Sequence, residues 1–149
     1  MRTTPFGRYP AALLAAVLLA LPLPVAAEDP YTPLRLELGA PDGRMVFNPT
    51  RLELRVGTRY RLSVVNVGPV EHEFDAPELT LNAESEHVVV YDRAGNKVAD
   101  LVGKPDEVVV APGARLDWYL MPVRAAAGPV LCDLPGHLEA GMRGTFRVR

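Results

Sequence analysis

Prolines and short alternating runs leave this chain little room for helix. Prolines at positions 30, 33, 41 and 49 each fix φ and remove an amide donor, so no long helix can cross that half. The runs between them alternate. Leu34, Leu36 and Leu38 are separated by Arg35 and Glu37, and Leu52, Leu54 and Val56 by Glu53 and Arg55, the period of two that belongs to strands with one buried face. After Gly57-Thr58 the alternation resumes with Tyr60, Leu62, Val64 and Asn66, which predicts that residues 51–56 and 58–67 are adjacent strands. Residues 107–110, 114–121, 128–132 and 143–148 read as further strands, with Leu116, Trp118 and Leu120 on one face. Segment 75–104 is less determined: 78–86 fits a helical turn or an extended loop, whereas 87–91 and 97–102 flank the turn signal Arg93-Ala94-Gly95-Asn96 and fit a hairpin. Seven to eight strands with regular turns predict an all-β, Greek-key β-sandwich.

The first 27 residues stand apart from this pattern. Arg2 and Arg8 precede the apolar run 11–21, prolines 22 and 24 break it, and Val25-Ala26-Ala27 offers a small-residue cleavage site, the arrangement of a secretory signal peptide. The run stops short of the ~20 apolar residues a membrane span needs. The expectation is an exported, periplasmic or similarly located chain with one domain over 28–149 and no stable membrane span after cleavage. Without Arg2 and Arg8 the chain keeps 14 basic against 18 acidic residues and has no basic cluster, which argues against a nucleic-acid partner.

Chemistry concentrates near the C-terminus. Cys132, the only cysteine, is followed by His137 and Met142 in the spacing C-x4-H-x4-M. A lone cysteine in an exported chain has no internal disulfide partner, so it is a free thiol or a metal ligand. Buried cysteines and core methionines are common; it is the imidazole between the two sulfurs that points to metal. A thiolate, an imidazole and a thioether form a soft, mixed donor set that suits copper better than magnesium or calcium. Such a site needs a second imidazole, and His72 is placed to supply it after the Gly68-Pro69 turn that ends a strand. His87, beside Glu84 and Glu86, is expected at the surface, and Met45 and Met121 lie in strand-like runs away from the loop.

With these four residues the sequence resembles the cupredoxins, the type 1 blue copper proteins, over about 47–148. The resemblance implies one copper ion cycling between Cu(I) and Cu(II), held by His72, Cys132, His137 and Met142, with Met142 as the weak axial ligand. It also implies that His137 emerges at the surface within an apolar ring of Leu134, Pro135, Leu138 and Ala140, where a redox partner or copper-accepting enzyme would dock. One departure concerns Glu73: several cupredoxins carry a small polar residue after the first histidine that orders the cysteine loop. Asn66 is the candidate for that task here. The expected function is single-electron transfer without catalysis, with copper delivery or buffering for a larger exported enzyme as the alternative. A catalytic thiol using His137 as its base is disfavoured, since nothing marks an oxyanion hole. Oxidases with a second copper centre need more histidines than the three present, and a two-copper site bridged by thiolates needs a second cysteine.

Overall fold

Alternation along the chain becomes two packed layers because each strand has one apolar face to hide. The computed structural model describes residues 29–149, so the expected signal segment and the start at Glu28 lie outside the described residues. Among the described residues the elements are β1 (Thr32–Leu38), β2 (Phe47–Asn48), β3 (Arg51–Leu54), β4 (Tyr60–Asn66), β5 (His72–Asp75), α1 (Pro77–Leu81), β6 (Ala83–Tyr91), β7 (Lys97–Leu101), β8 (Glu107–Val110), β9 (Arg115–Pro122), β10 (Ala126–Leu131) and β11 (Arg143–Val148). A six-stranded sheet runs β2-β1-β4-β9-β6-β7 and a five-stranded sheet runs β3-β11-β10-β5-β8. Both are mixed: β1 is parallel to β4 and β3 to β11, while the other pairs are antiparallel. The fold is the expected all-β sandwich.

The core lies between the layers. Leu62, Val64, Leu116, Trp118 and Leu120 face inward from one sheet and Phe74, Val130 and Phe146 from the other. Full burial of each large side chain contributes about 2–3 kcal/mol. Trp118 also satisfies its polar edge, donating its indole N–H to Ser85 Oγ at 2.9 Å.

Residues 51–56 and 58–67 are not adjacent strands. β3 pairs with β11 in one sheet and β4 lies between β1 and β9 in the other. Both strands alternate because both line the same core, from opposite sides. The chain crosses the end of the sandwich at Gly57, where the Val56 amide donates to Arg149 O (2.9 Å) and the Gly57 amide to Pro122 O (2.9 Å).

Segment 75–104 divides between the two options left open. Pro77 opens α1, whose Leu79 and Thr80 are buried, and Thr80 Oγ1 donates to Pro105 O at 2.9 Å. β6 then begins at Ala83, earlier than the β-branched residues indicate, and forms the hairpin with β7. The extra length widens the six-stranded sheet, and with the two-residue β2 it brings the strands above the seven or eight expected. No helix among the described residues is long and apolar enough to cross a membrane.

Candidate metal centre

Cys132 and Met142 occupy the two mouths of one loop. β10 and β11 pair as far as Leu131–Arg143, so Cys132 is the first residue off the sheet and Met142 the last before it resumes. Between them the chain coils tightly: the His137 amide donates to Leu134 O at 3.0 Å, the Ala140 amide to Gly136 O at 3.1 Å and the Met142 amide to His137 O at 3.0 Å. Pro135-Gly136 supplies the turn, with Gly136 at φ 86. Cys132 and Met142 are buried and His137 is half-buried.

His72 arrives from the other side on β5. The turn before it is stapled by Asn66, whose Oδ1 accepts from the Gly68 amide (2.9 Å) and whose Nδ2 donates to Val70 O (2.7 Å) and Val110 O (2.7 Å). All three bonds involve backbone, so Asn66 fixes the path from β4 to β5 and ties it to β8. The imidazole of His72 is wedged between two glycines. A Cβ built on Gly39 would lie 2.2 Å from Nε2, and one on Gly68 would lie 2.7 Å from it. That packing leaves Nδ1 facing the loop.

There the donors meet. His72 Nδ1 is 3.3 Å from His137 Nδ1, and Cys132 Sγ is 3.2 Å from His137 Nδ1. His72, Cys132 and His137 each place a ligand atom within 4.8 Å of the others, the one such group of three or more among the described residues. No carboxylate enters the group, so its chemistry is soft: two imidazoles and a sulfur. Burial foremost, and then the neighbouring His137, lowers the pKa of His72 and keeps that ring neutral. Burial also raises the Cys132 thiol, while the amides of Glu73 and Leu134 act against it. The Glu73 N–H donates to Sγ at 3.2 Å, an arrangement that favours thiolate once a cation is present. These residues therefore fit a metal of the copper or zinc kind and offer nothing to calcium or magnesium.

Glu73, not Asn66, orders the cysteine loop. Its carboxylate Oε2 accepts from the Asp133 amide at 3.1 Å, so a single residue holds the loop at the Cys132 sulfur through its amide and at the next residue through its carboxylate. Glu73 is 5% exposed. Burial pushes its carboxyl up to about 7, with Asp133 and Glu107 as neighbouring acids. Asn66 organises the histidine turn instead.

Three of the four expected ligands thus converge. Met142 is buried against the core at the end of the same loop, and the Met142–His137 backbone bond holds it next to the third. His87 stays away, stacked on Tyr119 with ring centroids 4.2 Å apart on the outer side of the six-stranded sheet. Met45 is packed at the core edge and Met121 lies on β9 opposite Glu84. Of the surface ring, Pro135 and Ala140 are exposed and Leu134 and Leu138 half-buried. Gly39 is the contributor that sequence reasoning missed. Its only local sign is the position after the β1 run, before Ala40-Pro41-Asp42-Gly43.

No family model matches the sequence. The chain is 26% identical over 133 residues to the copper-resistant cuproprotein CopI of Pseudomonas aeruginosa, an alignment covering 72% of each protein. It is 31% identical over 107 residues to the protein of the same name from Rubrivivax gelatinosus, covering 70% of this chain and 61% of that one, less than two thirds of the relative's length. Among solved structures it is similar to a multicopper oxidase from Campylobacter jejuni, with a TM-score of 0.60 and 13% identity over 85% of this chain. A copper-containing nitrite reductase from Thermus scotoductus gives a TM-score of 0.56 and 15% identity over 81% of this chain. The chain spans 31% of each of these two proteins, so the likeness concerns the fold alone. Two packed mixed sheets, with the cysteine loop joining the last two strands, give this chain a cupredoxin-like β-sandwich fold, shared with part of each of these two copper proteins.

Proposed function

We propose that this chain is an exported protein that holds one copper ion and passes single electrons through it. The observation that carries this reading is the convergence of His72 Nδ1, His137 Nδ1 and Cys132 Sγ within 4.8 Å. The relatives named as copper-resistant cuproproteins support the choice of copper over zinc. Bound copper would supply the one-electron couple, which two imidazoles, a thiolate and a weak thioether accommodate in both oxidation states.

The protein's part is to keep its own atoms still. His72 is held by Gly39 and Gly68, and Cys132 by Glu73, whose amide bonds its sulfur and whose carboxylate bonds the Asp133 amide, so neither ligand needs to move when charge changes. Met142 is the proposed fourth, weak ligand. His137, half-buried among Leu134, Pro135, Leu138 and Ala140, is the proposed crossing point for the electron and the place where a redox partner docks. Leu138→Asp should slow that exchange; unchanged partner kinetics would remove the docking assignment. Residues 1–27 are the proposed export signal, and the proposed role is electron transfer without transformation of a substrate.

The test is direct. Cu(II) added to the purified protein should produce intense thiolate-to-copper absorption in the visible, absent in Cys132→Ser. A colourless complex, or colour that survives the substitution, would refute the site. Delivery or buffering of copper is the second reading, favoured by the resistance role in the relatives' names. Reversible voltammetry with slow copper loss supports the carrier, whereas rapid transfer to an apo acceptor supports delivery.

A further inference from the structure

At Gly144 the place of a side chain is already taken. The residue faces inward near the start of β11, just past the cysteine loop, and pairs with Val130 of β10. Its φ is not positive, so the backbone itself would accept any residue there. The surroundings would not. A Cβ at position 144 would lie 3.0 Å from Thr50 O and 3.6 Å from both Cβ and Cδ2 of Phe47. Thr50 O is tied in place, because it accepts from the Thr145 amide at 2.9 Å and extends the β3–β11 ladder by one bond beyond Arg51–Thr145. Phe47 is buried in the core. The missing side chain lets the corner between β2 and β3 close directly on the first residues of β11.

We propose that Gly144 is a positioning residue for Met142 and through it tunes the reduction potential of the copper site, an inference that rests on the copper reading above. Met142 lies two residues earlier and is fully buried. Its amide is tied to His137 O at 3.0 Å on the loop side. On the strand side the chain is seated by Gly144 and Thr145 against Thr50, so the backbone of Met142 is held between one loop bond and that seat. The other three donors have separate supports: His72 has Gly39 and Gly68, Cys132 has the Glu73 amide, and His137 has the bond from its own amide to Leu134 O.

A carbon and a carbonyl oxygen settle at about 3.3–3.6 Å. An alanine at 144 must therefore move the start of β11 or the corner by about 0.3–0.6 Å, and that displacement falls on Met142 before it reaches any other donor. A weak axial sulfur contributes little to holding copper and much to the balance between its oxidation states. Displacing it changes the potential while the thiolate bond, and the colour it gives, survive.

The test compares Gly144→Ala and Gly144→Val with Gly128→Ala. Gly128 is equally tight, its Cβ position lying 3.0 Å from Phe146 Cε1 and from Glu78 Oε2, but it meets side chains and pairs with Phe146, four residues along β11 from Met142. In the metal-free protein the ε-methyl resonance of Met142 should move in both Gly144 variants, further in the valine one, while those of Met45 and Met121 stay. With copper bound, both variants should keep the thiolate absorption and change the ratio of Cu(I) to Cu(II) affinity at least about tenfold, which is about 59 mV for one electron. Gly128→Ala should lose stability without either change. If the valine variant fails to fold, the alanine variant decides alone. An unmoved Met142 resonance, a potential displaced no further than in Gly128→Ala, or a Gly144→Ala protein that loses the colour of the wild type would each overturn the proposal. A wild type that binds copper without colour refutes the electron-transfer reading instead, and the methyl resonances of the metal-free protein then decide on their own whether Gly144 seats Met142.

Discussion

Replacing Gly39 by alanine separates backbone strain from loss of the metal site, because a second glycine provides the control. Gly39 has φ 69 and Gly57 has φ 75, a region in which a side chain costs about 1–2 kcal/mol. A Cβ on Gly57 meets nothing within 4 Å, whereas one on Gly39 would lie 2.2 Å from His72 Nε2 and 2.8 Å from Cδ2. To restore a normal contact the ring must retreat by about 1 Å, a displacement large enough to spoil a site that must be pre-organised. Gly68 limits the escape, since its own Cβ position is 2.7 Å from the same nitrogen. Gly57→Ala should lose about 1–2 kcal/mol in urea denaturation and bind copper as the wild type does. Gly39→Ala should lose at least as much and also bind copper at least about tenfold more weakly, a difference of about 1.4 kcal/mol. Trp118, the single tryptophan and fully buried, reports unfolding, and the visible absorption reports the site. If Gly39→Ala matched Gly57→Ala in both readouts, the proposed wedging of His72 would be wrong.

Glu73 should make the metal-free protein less stable as pH rises. Its folded carboxyl is pushed up to about 7 against about 4.3 when unfolded, so its neutral form favours the fold: the stabilisation is complete below about 4.3 and lost as pH climbs through about 7, with a ceiling of about 4 kcal/mol. The lowered pKa of His72 gives the opposite slope, so the measurement is the difference between wild type and Glu73→Gln across that window; a constant difference would contradict the buried-carboxyl account. Asn66→Ala should cost about 2–4 kcal/mol in the same assay, because it strands the Gly68 amide and the carbonyls of Val70 and Val110. A loss under about 0.5 kcal/mol would show that the turn holds without it.

The converging donors were legible because two of them, Cys132 and His137, share one loop with Met142, the proposed fourth ligand. Cys132, His137 and Met142 are close in sequence, so their proximity needs no knowledge of the fold, and the demand of such a site for a second imidazole leads to His72. Gly39 could not be found this way: what makes it matter is a ring carried on another strand. Glu73 hid for a similar reason. In sequence it marks only a departure after the first histidine, and the Asp133 amide 3.1 Å from its carboxylate shows that it does what Asn66 was expected to do.

Alternation and proline placement determined an all-β sandwich, since they state which face of each strand must leave water. They did not determine which strands pair. Leu52, Leu54, Tyr60, Leu62 and Val64 line one core from two sheets, and burial is the same on either side of it. The tertiary structure alone decided that partition and the wedging of His72 between glycines. Each depends on distances between residues far apart in the chain, and one-dimensional patterns carry local conformation and burial but no distances.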